Sequence, residues 1–557
     1  MIYSHLARSF ASSLTLPLLA FVLASTGIAA CGSGDEGSAF DAGTTPNDAG
    51  SDVTLGGDAL PSGDTGPIVR DDFPTPIFDT GVPPSSGQLF GQDAGASASG
   101  GPCLYEPELG SLFPNNWLRP RFRFNVAHQE NLFEIKLVVP NEAHPLVIYT
   151  TKSGYTLDKA TWGTLTSFAA GTGAIHVTVR SAVVTNGALT AGPWLGSEGD
   201  VEIAPVAATG SVVYWTTSGG TVLKGFKIGD ESVQSVITPT QAGTACVACH
   251  TSTPDGKYVA LTASDNANDG SQGYVRFRSV DGTFAEPPFL SASAKTLLAR
   301  VPQHAPAFSK AHWQAGDHTA LSMMSVNGKT EIVWTDLEAA STAQGTGWDV
   351  LTRTGDANAA SAAAFSHDGQ KVVYTSATQS GAGTITSDGQ LFTVPYASRA
   401  GGTASAVSGA NDPQFHHYYP TFSADDRWLA FNRVANTETS YNDAKAEVFV
   451  VPTAGGTASR LVANDPPQCL GVTSPGVTNS WPKWSPEVKS AGGKDYYFLV
   501  FSSTRNAATG GPQLYVAPFV VSGGTVKTYA ALYLWNQPEA EHNHTPAWDV
   551  FQIPPPK

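Results

Sequence analysis

Cys246-Val247-Ala248-Cys249-His250 is the stretch whose residue types and spacing point most directly to chemistry. Two thiols separated by two residues, with an imidazole directly after, match what a c-type haem requires. The thiols add across its two vinyl groups, and the histidine stands ready for the iron of the anchored ring. On this reading Cys246 and Cys249 form the thioethers and His250 is the proximal iron ligand. Two other readings of the same residues stay open: a C-x-x-C disulfide, or half of a zinc site. Zinc would want a second cysteine or histidine pair at short spacing, and none follows.

The elements that must position this stretch are strands. The chain has 557 residues, 41% apolar and only 14% charged, with 57 Gly and 38 Pro. That length gives room for two or three domains, and that balance favours turn-rich β structure over helices. From about residue 205 a short pattern recurs: Pro, one residue, an aromatic, Ser, then often Asp-Gly, then a strand. It appears at Pro306 to Ser309, Ala363 to Gly369, Pro420 to Asp425, Pro482 to Ser485 and Pro546 to Asp549. The segment from His250 to Gly256 fits the same frame. Taking Thr253, Ser309, Ser366, Ser423, Ser485 and Asp549 as equivalent, the spacings are 56, 57, 57, 62 and 64. Strand-rich periods of this length mean a propeller with one blade per repeat. The last repeat stops after its first strand. Its missing strands are expected from Val212 to Trp215 and Val222 to Phe226, which gives six blades, the sixth closed by both ends of residues 205–557.

These motifs resemble the TolB-type propeller repeat over residues 205–557. The resemblance implies a fold and says little about activity. TolB itself carries no haem, so Cys246 to His250 departs from its pattern. The chain is similar to exported TolB-like propeller proteins with a C-x-x-C-H in one repeat. In the repeat frame His250 falls level with Pro306, Pro420, Pro482 and Pro546, at the head of an innermost strand. The pentapeptide is therefore expected at the rim of the central channel. Loops at the same height hold His304, His416 with His417, Asn479, and His542 to His544. One imidazole is expected as distal haem ligand, with His417 and His544 favoured and His304, His416 and His542 as further pocket candidates. The plainer reading is that these residues cap polar loops. Bis-His ligation would give a low-potential electron carrier, and a vacant sixth position a ligand-binding or catalytic haem. Met323 and Met324 belong to a second strand and suit ligation less.

Residues 1–30 read as an export signal: Arg8, the apolar run Leu14 to Leu23, then Ile28-Ala29-Ala30-Cys31. This resembles a bacterial lipoprotein signal and implies lipidation of Cys31, a membrane anchor and a place in the cell envelope. Gly32 and the lack of an adjacent Asp are similar to outer-membrane sorting signals. Residues 31–101 are rich in Gly, Ser, Asp and Pro and are expected to be a disordered acidic linker. Residues 31–102 hold 11 acids and one base, which is most of the net charge of −16. No basic stripe is visible, so nucleic acid is not an expected partner.

From 102 to 204, short alternating segments such as Leu132 to Leu137 and Ile175 to Val179 read as half-buried antiparallel strands, with Trp162 as a core residue. The segment is the size of one β-sandwich and resembles a fibronectin type III or immunoglobulin-like module. Once Cys31, Cys246 and Cys249 are assigned, Cys103 and Cys469 remain. An oxidising compartment allows them to pair, and two separately buried thiols is the alternative. Asp265 to Gly270 hints at a calcium loop, but Ala267 stands where a ligand belongs. Ser366-His367-Asp368 lies in a repeat turn and is not a triad, and no G-x-S-x-G occurs.

The combined expectation is an all-β, lipid-anchored envelope protein. It has one c-type haem at the mouth of a TolB-like propeller, for electron transfer or redox sensing with an unidentified redox partner. The alternative is an envelope propeller that binds protein, peptide or glycan without catalysis. A haem-dependent oxidoreductase is the third reading.

Overall fold

A computed structural model describes residues 73–91, 98–171, 173–267, 272–380, 385–506 and 510–553. Cys31 and the signal segment lie outside these residues, as do residues 268–270 of the Asp265 to Gly270 loop. Among the described residues no helix is long and apolar enough to cross a membrane.

The N-terminal part is a pair of facing sheets. One has seven strands and includes Leu132–Val138, Ala174–Thr185 and Ala188–Ile203. The other has three: Cys103–Glu106, Arg121–Asn125 and Gly154–Thr156. Phe124 and Phe133 join them across the core, with ring centroids 4.9 Å apart. The longest hairpin turns at Asn186-Gly187, with φ of 53° and 80°. Such a two-residue turn needs positive φ at both positions, which Asn-Gly supplies.

Two features differ from the sequence expectation. Trp162 is a core residue, but it lies on a helix, Lys159–Ala169. Asp158 caps that helix by accepting from Thr161 N, and Trp162, Leu165, Thr166 and Ala169 form its buried stripe. The linker is also shorter than expected. Ile77–Phe78 pairs in parallel with Ile148 and Tyr149, Ala98–Ser99 pairs in parallel with Trp194 and Leu195, and Val82 and Phe90 are buried. The cluster Phe73, Ile77, Phe78, Val82, Leu89 and Phe90 gives this part of the low-complexity stretch enough apolar surface to pack.

The C-terminal part is six sheets in succession. Their first strands are β1 (Cys246–Ser252), β2 (Gln303–Phe308), β3 (Ala359–Phe365), β4 (Phe415–Phe422), β5 (Ser480–Trp484) and β6 (Asn543–Asp549). Each packs against the next, and β6 packs against β1, so the six form a closed cycle around an axis. The sixth sheet joins both ends of this region, because Ser211–Thr216 pairs with β6 in the register Val212 to Trp548. The recurring Ser-x-Asp has a local cause. Thr253, Ser366 and Ser423 each donate their hydroxyl to Asp255, Asp368 and Asp425 at 2.6, 2.6 and 2.7 Å, tying the turn into the second strand.

Each first strand also carries a bulge at the same level, where the ladder register slips. In β2 to β6 the residue there has positive φ: Ala305, Ala362, Tyr419, Trp481 and Thr545, between 49° and 54°. Only glycine adopts this region readily, so five repeats of it mark a backbone held by its surroundings. Cys249 occupies the equivalent place in β1.

The two parts share one apolar core, in which Leu104, Phe122 and Leu118 pack with Val212, Tyr214, Phe498 and Val516. Cys103 and Cys469 close a disulfide across them, with Cα atoms 5.7 Å apart. Replacing both by Ser is expected to lower stability by about 2–4 kcal/mol, because the unfolded chain loses a very long closed loop. The measurement is the urea midpoint under non-reducing conditions. An unchanged midpoint would show that packing alone fixes the two parts.

Candidate functional site: the axial channel

Strand β1 places the pentapeptide on the ring of innermost strands. Cys249 and His250 are partly exposed toward the axis, whereas Cys246, Val247 and Ala248 are buried. Cys249 is the free thiol among the described cysteines. Its electrostatic neighbours are Lys483 of β5, Tyr419 of β4, and Tyr441. In a six-membered cycle β1 and β4 stand opposite, so Cys249 and Tyr419 meet only across the axis. The bulge therefore turns these side chains inward, and the channel is the place where four sheets converge.

The wall is aromatic. Tyr419 stacks on Trp481 at 5.7 Å, Tyr441 meets Trp481 edge-on at 5.7 Å, and His544 lies 5.2 Å from Trp481 and 4.5 Å from Trp215. Burial pushes the Cys249 thiol up, partly offset by the nearby Lys483 charge. Burial likewise holds Lys483 below the usual lysine value, against the attraction of Cys249 and Asp549. Asp549 of β6 is raised by burial and accepts from Val550 N at 2.8 Å. Lys483 thus lies within electrostatic reach of both a thiol and a carboxyl group.

His250 has both ring nitrogens against backbone carbonyls: Nδ1 is 3.2 Å from Ala248 O and Nε2 is 3.0 Å from Val213 O. Burial lowers its pKa to about 4, so at neutral pH the ring is uncharged. His544 is close enough to His250 for the two to repel when charged, and burial lowers its pKa to about 3. Of the histidines expected around the site, His544 alone joins His250 and the aromatic wall. His304 is buried on β2. His416 and His417 lie on the far side of the cycle; His416 Nδ1 accepts from Gly389 N, and both ring nitrogens of His417 are buried without a partner. His542 is exposed at the head of β6. Their common height in the repeat was legible in sequence, but side chains at one height on neighbouring strands can face opposite sides.

The arrangement does not fit covalent haem as it stands. The Cys246 sulfur is buried, and the His250 ring is held against two carbonyls, to one of which a neutral ring can donate. The three groups lie along an extended strand, Cys246–Ser252. Among the described residues no cluster of three or more His, Cys, Asp or Glu could hold a metal ion. Lys483, Tyr419, Tyr441 and Trp481 were not singled out from sequence. The signal was present in the repeat, where Lys483 stands level with Ala307, Ala364 and Ala547.

No family model and no curated protein matches the chain. Solved structures match weakly. A prolyl endopeptidase aligns over 58% of this chain and 40% of its own, at 16% identity and a TM-score of 0.31. A puromycin-hydrolysing peptidase of Mycobacterium tuberculosis aligns over 64% and 51%, at 13% identity and 0.28. A xylan β-1,4-xylosidase of Bacillus halodurans C-125 aligns over 50% and 52%, at 10% identity and 0.25. The chain thus spans well under two thirds of each of these proteins, and likeness of this degree carries no argument about its activity.

Proposed function

We propose that this chain is a lipid-anchored envelope protein, built as a six-bladed TolB-like propeller with an N-terminal sandwich, and that it acts as a binding module through its axial channel. The observation that carries this reading is the convergence in the channel of Cys249, Tyr419, Tyr441, Trp481, Lys483 and His544 from separate sheets. Such a mixture of aromatic surface with a few polar groups is what ligand sites use. A panel of envelope peptides, glycans and small metabolites tests it by ligand-observed NMR. Binders are expected whose signals are lost in a Trp481→Ala variant. A panel that binds nowhere, or binds wild type and variant alike, removes the channel from the account.

The second reading is the c-type cytochrome for electron transfer or redox sensing. The position of Cys249 and His250 on the innermost strand, facing His544, favours it. It requires the buried Cys246 to become accessible and His250 to turn away from the Ala248 and Val213 carbonyls before attachment. Co-expression with a haem-attachment system tests it. A haem that stays with the chain through denaturation and gives a pyridine haemochrome spectrum would put this reading first. A colourless chain would discard it.

A further inference from the structure

The channel reading says that something binds there; the charge pattern narrows what. Lys483 is partly exposed to the channel, and among the described residues its ammonium makes no hydrogen bond and no ion pair within 4 Å. The buried arginines are all engaged, Arg180 with Glu134, Arg278 with Glu286, Arg353 with Glu331 and Asp356 and Arg505 with Glu108, whereas most other lysines without a partner among the described residues, such as Lys227 and Lys257, stand exposed to water. A confined, unpaired cation is costly unless something answers it.

The residues level with Lys483 do not crowd it with bulk. At its level the other inner strands carry Thr251, Ala307, Ala364, Thr421 and Ala547, which are all small. One level toward the head of the strand stand Tyr419 and Trp481, with Tyr441 edge-on. Cys249 projects beside them.

We infer that the channel takes a small anion with a flat apolar body, a carboxylate of the aromatic acid type, whose charge meets Lys483 and whose ring lies against Tyr419, Tyr441 and Trp481. The inference rests on the channel being a binding site. The ammonium gives a charge-assisted hydrogen bond to the carboxylate. The aromatic wall favours a planar partner in offset or edge-on contact. Asp549, on the neighbouring strand β6, lies within electrostatic reach of Lys483 but makes no ion pair with it.

Cys249 is a built-in reporter. In the full-length chain, alkylation of the Cys249 peptide is followed by mass spectrometry with iodoacetate and with iodoacetamide. Iodoacetate is expected to react relatively faster in the folded protein than in the urea-unfolded chain. Lys483→Met abolishes that preference. 2-Naphthoate is expected to protect Cys249 about tenfold better than 2-naphthalenemethanol, the size of effect one charge-assisted hydrogen bond gives. Protection that is equal for acid and alcohol, or unchanged in Lys483→Met, overturns the anion assignment while leaving the channel a binding site. A Cys249 that neither reagent reaches closes the channel and takes the binding reading with it.

Discussion

Acidification from pH 6.5 toward 4 is expected to unfold this protein steeply. His250, His304 and His417 have pKa values lowered to about 4, and His544 to about 3, in each case by burial. In the unfolded chain each returns to the ordinary value near 6.5. The unfolded state therefore binds protons that the folded state refuses, and stability falls as pH falls through this window. Four such imidazoles correspond to about 5 kcal/mol per pH unit at full effect. Glu106 and Glu108 act in the opposite sense, because burial raises both to about 7. Their contribution is fully present below pH 4.5 and is lost as pH rises through 7. The net slope between pH 4.5 and 6.5 is then about 3 kcal/mol per unit, which uses up a typical total stability within a few units. Urea midpoints measured across this range test it. His417→Leu is the sharpest variant, since both ring nitrogens of His417 are buried without partners and its ring packs on Phe431. That change is expected to flatten the slope by about 1.4 kcal/mol per unit. A midpoint that is flat from pH 6.5 to 4.5 would show that these rings are not held neutral.

Removing Arg505 is the second large effect. Its side chain is fully buried. It donates to Glu108 at 2.9 and 3.3 Å, to Ala463 O, to Asn479 Oδ1 at 3.0 Å and to Ser503 Oγ at 3.1 Å, and its guanidinium lies 4.6 Å over Tyr515. Glu108 belongs to the N-terminal part, Asn479 directly precedes β5, and Ser503 ends a second strand. One guanidinium thus ties the sandwich to the strand that carries Trp481 and Lys483. At pH 8, where Glu108 is ionised, Arg505→Met is expected to cost about 3–5 kcal/mol, because it strands a buried carboxylate. Adding Glu108→Leu is expected to recover most of that loss, since an apolar pair of similar volume removes the stranded charge. If the single change costs less than about 1 kcal/mol, the pair is not desolvated as described. Recovery in the double variant should also restore ligand-dependent protection of Cys249, if the sandwich acts on the channel only by holding β5.

The sandwich region shows how far alternation carries. Leu132 to Leu137 and Ile175 to Val179 are strands whose alternation is visible in the sequence, but both faces are covered in the fold, with Leu132 to Ile135 and Val177 to Val179 buried without interruption. Trp162 was legible as core but not as helical, since its stripe of Leu165, Thr166 and Ala169 contains too few large apolar residues to stand out. The segment from Phe73 to Phe90 was hidden by its composition: a handful of apolar residues among Gly, Ser, Pro and Asp is enough when a sheet edge is waiting to pair with them.

What the sequence determined by itself is the repeat: its period, the Ser-x-Asp turns, the joining of Val212 to Trp215 with the last strand, and the placing of Cys246 to His250 on an innermost strand. These are local hydrogen-bonding and periodic-burial properties, so each repeat states them independently. Only the tertiary structure decided which side chains face one another. Cys249, Tyr419 and Lys483 lie far apart in the chain and on separate sheets, and they meet because the cycle closes and a bulge in each strand swings one residue toward the axis. Closure and bulge direction depend on all six sheets at once, and no single stretch of sequence encodes them.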